Sequence, residues 1–219
     1  MAKKIKSELN NVTIGNYVVG DNVVIHPYHS EKKDSLKEKE ISKNKTVFLS
    51  YNWNDEEIAD KIDSYLSHFP NITVKRDKRE IGVWESIKKH MESIREENYA
   101  VFIISDFFLK AENCMFEVLE MMKEKEYKER IFPAVVERKI YDPLARAEYI
   151  EYWQQKCEQV ENTLKRIESV NSGGLVTTLK KYKSIAFSID EFLTIVADMN
   201  NPNIQEVEIQ IEKAIQKKK

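Results

Sequence analysis

Short apolar runs alternate with amphipathic segments between residues 45 and 136, and this alternation constrains the fold more than any other feature. The apolar runs have the length and β-branched content of buried strands, at residues 46–50, 72–76, 99–104 and 131–136. Segments of helical period lie between them, at 54–69, 83–96 and 113–125. This order predicts βαβ units, and therefore an α/β domain with a parallel sheet and helices on both faces. Pro133 favours a place near the sheet edge for the last strand.

The regions outside this alternation predict a division into five parts. Residues 1–30 hold two β-branched runs around a Gly-Asp-Asn turn and predict a short β element, followed by a charged linker at 31–44. The domain core is expected at 45–140. Residues 141–200 predict a helical extension of two long helices, with a break at 171–174, and 201–219 predict a charged tail that forms a frayed helix.

Composition excludes several classes of protein. The chain has 35 Lys and Arg against 37 Asp and Glu, and this near-neutral balance does not favour nucleic acid as a partner. It has no apolar run of about 18 residues and no apolar stretch near its start, so we expect a cytoplasmic protein without a membrane partner. Two cysteines are too few for a disulfide framework or a cysteine zinc site, and no metal site is expected. Five glycines form no phosphate-cradling motif.

Three segments should meet at one edge of the sheet. Ligands of open parallel sheets bind outside the carboxyl ends of the strands, which here are followed by residues 50–55, 77–84 and 105–109. Each segment combines polar and aromatic side chains, which suits a planar aromatic ligand with a polar sugar. The candidate substrate-binding residues are Ser50, Tyr51, Trp53, Asp77, Trp84 and Ser105. The residues alone leave an alternative open, in which the loops are simply polar and the tryptophans fill gaps between helix and sheet.

These segments resemble one family. Residues 47–51 (VFLSY) followed by Asn54-Asp55, the loop 77–84, Ile103-Ile-Ser105 and residues 113–119 (NCMFEVL) are similar to a Toll/interleukin-1 receptor (TIR) domain of the bacterial kind. The resemblance covers roughly residues 45–136. It implies a flavodoxin-like sheet, assembly through the loop after the second strand and, as in many bacterial and plant members, cleavage of NAD+ at the nicotinamide–ribose bond.

The resemblance also implies a catalytic residue. The family's catalytic glutamate lies in a Trp-Cys-x-x-Glu-Leu pattern, which here reads from Asn113 to Val118 and makes Glu117 the candidate. Asn113 replaces the tryptophan of that pattern, whereas Trp84 lies where the hydrolysing members commonly have an aromatic residue. Helical spacing puts Cys114, Glu117 and Met121 on one stripe, which would turn Glu117 toward the cleft. Without the family, a solvated helix glutamate is the alternative.

Two segments are predicted to mediate assembly. The run around Val18 and Val19 is β-branched, nearly uncharged and free of proline, which is typical of segments that pair with copies of themselves. A hairpin folded onto its own domain is the alternative. The resemblance adds Ile81 and Gly82 in the loop after the second strand. The sequence thus predicts an NAD+-cleaving effector of bacterial antiphage defence, activated by self-association, with NAD+ as substrate and no cofactor; the alternative is a non-catalytic TIR adaptor.

Overall fold

The computed structural model describes residues 44–76, 85–168 and 172–217, all within one compact unit, Ser42–Lys219. The predicted β element at 1–30 and nearly all of the charged linker lie outside the described residues. So do four of the predicted site and assembly residues in the loop 77–84, namely Asp77, Ile81, Gly82 and Trp84.

Four parallel strands form the sheet among the described residues. They are β1 (Lys45–Ser50), β2 (Ile72–Lys75), β3 (Tyr99–Ile104) and β4 (Ile131–Val135), in the order β2-β1-β3-β4. All six residues of β3 are buried, because a central strand covered on both faces must be apolar throughout. The edge position of β4 leaves one side of Pro133 without a neighbouring strand, so its missing N–H costs no ladder hydrogen bond there. The predicted parallel α/β fold is confirmed.

Eight α-helices are described, joined by turns and short 3-10 segments. They are α1 (Glu56–Leu66), α2 (Ile87–Ser93), α3 (Asp106–Lys110), α4 (Glu112–Met122), α5 (Tyr127–Arg130), α6 (Pro143–Leu164), α7 (Gly173–Asp198) and α8 (Val207–Lys217). The helix predicted at 83–96 begins only at Ile87, because the Ser86 hydroxyl accepts a hydrogen bond from the Lys89 amide and caps it.

Helices cover both faces of the sheet, as predicted. Val47 and Leu49 of β1 pack on one face in a cluster with buried residues of α1 and α8. Phe48, which points the other way, packs in a second cluster with buried residues of α4, α6 and α7. The extension at 141–200 is therefore part of the second core, and Trp153 of α6 donates a hydrogen bond of 2.9 Å to the carbonyl of Leu109.

The carboxyl-terminal part differs from the sequence expectation in two places. Residues 207–217 form an ordered helix whose Val207, Ile211 and Ile215 are buried at helical spacing, so this part of the predicted charged tail belongs to the domain. Its charges lie between the buried positions and hide the apolar stripe in the sequence. Helix α7 begins at Gly173, inside the expected break at 171–174.

Candidate functional site

A cleft of about 720 Å³ opens at the carboxyl end of β1. Its described lining comes from residues 51–54 after β1, from Ile87 at the start of α2, and from residues 111–114 and Glu117 at the start of α4. This is the edge of the sheet where an open parallel fold binds its ligands. The cleft is large enough for a nucleoside-sized molecule.

Glu117 is buried and lines this cleft. The residue is 2% exposed. Its Oε2 accepts a hydrogen bond from the hydroxyl of Ser50, the last residue of β1. The predicted stripe of Cys114, Glu117 and Met121 is buried along α4. Cys114 contacts the carbonyl oxygen of Tyr51 through its sulfur at 3.5 Å. These two contacts fix the first turns of α4 to the end of β1 and hold the carboxylate at the cleft.

Tyr51 lines the cleft, but its hydroxyl is engaged elsewhere. The oxygen accepts hydrogen bonds from Arg76 Nη2 at 2.7 Å and Nε at 3.2 Å. Arg76 is itself buried and also donates to Asp60 at 2.6 Å and Asp63 at 3.1 Å. Burial opposes the charge of Arg76, but these hydrogen bonds raise its pKa above the ordinary value. The guanidinium of Arg76 also lies 4.9 Å from the centre of the Tyr51 ring. Arg76, the residue directly before the loop 77–84, is therefore fixed to Tyr51 and to α1.

Trp53 is the most exposed aromatic side chain at the cleft. It begins the 3-10 turn Trp53–Asp55, which is capped by Asn52, whose Oδ1 accepts a hydrogen bond from the Asn54 amide at 3.0 Å. The residue is 72% exposed, so the alternative that it fills a gap between helix and sheet is wrong for this tryptophan. An indole held in solvent beside a cleft can stack on a planar ligand.

Ser105 is placed differently from the other predicted site residues. Its hydroxyl donates a hydrogen bond of 2.5 Å to Asp55 Oδ2 and accepts one of 3.0 Å from the Phe108 amide, which caps α3. It is not among the described residues that line the cleft. Burial raises the pKa of Asp55, and the hydrogen bond from Ser105 opposes part of that rise. Ser105 thus ties the end of β3 to the start of α1.

Glu112 is a cleft residue that sequence reasoning missed. One oxygen of its carboxylate lies 2.8 Å from Lys181 Nζ, and the other accepts a hydrogen bond of 2.9 Å from the Tyr182 hydroxyl. Burial would raise the pKa of Glu112, but the bonds from Lys181 and Tyr182 of α7 lower it below its usual value. The sequence signal that could have indicated Glu112 as a cleft residue is its position in the first turn of α4, five residues before Glu117. Its partners, about 70 residues later in the chain, could not be read from sequence.

Of the predicted residues, Tyr51, Trp53 and Glu117 line one cleft, and Ser50 contacts it through its hydrogen bond to Glu117. Among the described residues no group of three or more His, Cys, Asp or Glu side chains could hold a metal ion. Within the same ranges, no helix has the length and apolar character needed to cross a membrane.

A parallel four-stranded sheet covered on both faces defines a flavodoxin-like α/β protein, and the cleft at its carboxyl edge is the candidate ligand site. The family model for the TIR domain matches residues 47–167, which is more than half of the chain. The chain therefore belongs to the TIR-domain family, and the resemblance drawn from its motifs is confirmed. No curated protein and no solved structure matches the chain.

Proposed function

We propose that this TIR-domain protein cleaves NAD+ at the bond between nicotinamide and ribose, with Glu117 as the catalytic residue. The observation that carries the proposal is the buried Glu117 carboxylate, which accepts a hydrogen bond from the Ser50 hydroxyl and lines a cleft of about 720 Å³. Buried carboxylates are costly, and one aimed into a cleft at the ligand-binding edge of the fold is a candidate for chemistry.

The reaction makes modest demands on the protein. Nicotinamide leaves as a neutral molecule from a cationic ring, so its departure needs no general acid. The ribosyl cation that develops needs a negative charge close to the sugar, and a fixed carboxylate stabilises it as one does in glycoside hydrolysis. The Ser50 hydroxyl orients Glu117 for this role. NAD+ is the substrate in this proposal and not a cofactor, and no cofactor takes part.

The remaining site residues would bind the substrate. The exposed indole of Trp53 offers a stacking surface, and Tyr51 lines the cleft beside it. Asp77 and Trp84 stay predictions, since they lie outside the described residues. Replacing Trp84 with Ala should lower NAD+ turnover more than the melting temperature; a loss of about 3 to 5 kcal/mol in the free energy of unfolding would instead indicate a core residue.

We further propose that the enzyme is a cytoplasmic effector of bacterial antiphage defence and is activated by self-association. The loop after β2, with Ile81 and Gly82, would contact a neighbouring copy, and the segment around Val18 and Val19 would add a second contact. If the site is completed by a neighbour, specific activity depends on the population of assembled chains and rises steeply with protein concentration.

A non-catalytic TIR adaptor is the second candidate. Three large apolar side chains near the cleft are exposed, Trp53 at 72%, Ile87 at 52% and Phe107 at 55%, and such a rim can also contact a partner protein. An adaptor of this kind would bind other TIR domains and release no nicotinamide.

One experiment separates the two functions. The purified full chain is incubated with NAD+ over a concentration series from nanomolar to tens of micromolar protein, and the products are identified by mass spectrometry. The enzyme releases nicotinamide at a specific rate that rises with concentration. A Val18→Lys variant should shift that rise to higher concentration, because an unpaired ammonium between paired strands is costly. A folded chain that releases no nicotinamide anywhere in the series supports the adaptor.

A further inference from the structure

Helix α7 exposes a large apolar side chain in the middle of a polar face. Phe187 is 86% exposed, which is the highest exposure of any large apolar side chain among the described residues. The residues that share its face at helical spacing are exposed and polar, namely Lys180, Lys183, Ser184, Asp190, Glu191, Thr194 and Asp198. A phenyl ring left in water contributes little to the free energy of unfolding, whereas an aromatic side chain can contribute strongly to binding a partner.

The charges on this face are arranged asymmetrically about Phe187. Two lysines precede it and three acidic residues follow it, namely Lys180 and Lys183, then Asp190, Glu191 and Asp198. Lys183 comes four residues before Phe187, and Glu191 comes four residues after it. When two such helices lie antiparallel with a twofold axis at Phe187, the lysine of each helix faces the glutamate of the other. The face is therefore complementary in charge to a second copy of itself.

The side chains of Lys183 and Glu191 already have contacts within the chain, and both remain accessible. The Lys183 ammonium lies 2.6 Å from Glu161 of α6, and the lysine side chain is 59% exposed. One oxygen of Glu191 accepts a hydrogen bond of 3.4 Å from the Tyr127 hydroxyl, and the residue is exposed. Since an ammonium has three protons to donate and a carboxylate has two accepting oxygens, each group can bind a second partner.

A groove of about 570 Å³ lies beside Phe187, between α4 and α7. Helix α4 lines it with three half-buried apolar side chains, Phe116, Leu119 and Met122. Helix α7 contributes Ser184, Ser188 and Glu191, all within four positions of Phe187. In the same antiparallel pair, the Phe187 ring of each copy therefore meets the groove of the other. One surface supplies both the apolar side chain and the groove that receives it, as a twofold interface requires.

We propose that the exposed face of α7 binds a second copy of this chain in an antiparallel, twofold contact. Each Phe187 enters the other copy's groove between α4 and α7, and each Lys183 pairs with Glu191 of the other copy. This contact goes beyond the proposed function, since it needs no NAD+ and uses neither the loop after β2 nor the segment around Val18. One pair of helices buries a small interface, so the expected Kd of the dimer is on the order of 10 µM.

The first test is sedimentation velocity of the full chain without NAD+, from about 1 µM to about 200 µM protein. The unchanged protein should pass from monomer to dimer over this range. Phe187→Glu should raise the Kd of the dimer by at least about 30-fold, because it replaces a central apolar contact with a charge. Phe107→Glu is the matched control, since Phe107 is 55% exposed on another helix, α3, and its Kd should stay within about threefold of the unchanged value.

Three results would overturn the proposal. The first is a full chain that stays monomeric at about 200 µM. The second is an equal Kd for the two phenylalanine variants, which would mean that the chains associate through other surfaces. The third is a melting temperature of Phe187→Glu more than about 10 °C below that of the unchanged protein, which would mean that the ring is covered by another part of the same chain.

Charge reversal tests the antiparallel geometry directly. Lys183→Glu and Glu191→Lys should each raise the Kd of the homodimer by about tenfold or more, because each places like charges at both symmetric contacts. An equimolar mixture of the two variants should form heterodimers with a Kd within about threefold of that of the unchanged protein, since both contacts again join opposite charges. A mixture that associates no better than either variant alone would overturn the proposed contact. Either outcome leaves the proposed NAD+ cleavage to its own test, because no step of these measurements uses NAD+.

Discussion

Helix α4 buries two glutamates three residues apart, and they lie in different surroundings. Glu117 and Glu120 are each 2% exposed. Glu117 accepts a hydrogen bond from the Ser50 hydroxyl and lines the cleft. Glu120 pairs with Lys123, lies 3.8 Å from Arg95 and lines a separate groove. Burial alone therefore does not distinguish Glu117, the proposed catalytic carboxylate, from Glu120, whereas their partners and the grooves that they line do.

The largest effect expected from this comparison is the loss of activity in Glu117→Gln. The amide keeps an oxygen that can accept the bond from Ser50, so the change removes the charge and preserves the shape. Loss of one such electrostatic contact slows catalysis by about 100-fold to 1000-fold. Nicotinamide release from NAD+ measures the rate, and the melting temperature confirms that the variant is folded.

A smaller loss of nicotinamide release is expected from Ser50→Ala, which leaves Glu117 in place but removes the hydroxyl that donates a hydrogen bond to it. A hydrogen bond to a charged group contributes about 1.5 to 3 kcal/mol, which corresponds to roughly 10-fold to 100-fold in rate if it is fully needed in the transition state. Ser105→Ala is the matched control, because that hydroxyl also donates to a buried carboxylate, that of Asp55, away from the cleft. Equal rates for both serine variants would show that Ser50 does not orient the catalytic group.

Glu120→Gln should leave the rate of NAD+ cleavage within about twofold of the unchanged protein and lower its stability slightly. Lys123 and Arg95 are about half exposed and can regain water, so loss of the pair costs about 1 kcal/mol, or roughly 2 to 4 °C in melting temperature. A loss of nicotinamide release as large as that of Glu117→Gln, in a folded variant, would remove the distinction between the two carboxylates.

The smallest effect concerns Asp55, a third buried carboxyl. Because burial raises its folded pKa above the unfolded value of 3.8, the folded state binds the proton more tightly, and the contribution of Asp55 to stability falls as pH rises above 3.8. Asp55→Asn keeps an acceptor for Ser105 and removes this dependence. The variant should melt above the unchanged protein at pH 7, with the difference shrinking toward pH 4. A difference that is constant with pH would show that Asp55 does not titrate in this range.

The sequence predicted the sheet well because its signals are local. Four apolar runs with helical segments between them predict parallel strands without any information on distant contacts. Strand β3 is apolar throughout because both of its faces are covered. The sequence made Glu117 a candidate through its motif and not through its chemistry, since an isolated helix glutamate has no sequence mark of burial.

The missed features depend on contacts between distant parts of the chain. Glu112 is held by Lys181 and Tyr182 of α7, and Arg76 joins Tyr51 to two aspartates of α1. Periodicity contains no information on such pairs. Helix α8 was predicted only as part of a charged, frayed tail for a different reason. Its apolar stripe has only a few positions among many charged ones.

We propose that the charge of Glu117 acts on the chemical step and not on substrate binding. The most direct measurement is NAD+ binding to the Glu117→Gln variant by titration calorimetry, with nicotinamide release followed in the same samples, and Glu120→Gln treated in parallel. We predict that Glu117→Gln binds NAD+ with a Kd within about threefold of that of Glu120→Gln and releases nicotinamide at least about 100-fold more slowly. Nicotinamide release by Glu117→Gln within about threefold of the unchanged protein would contradict the account.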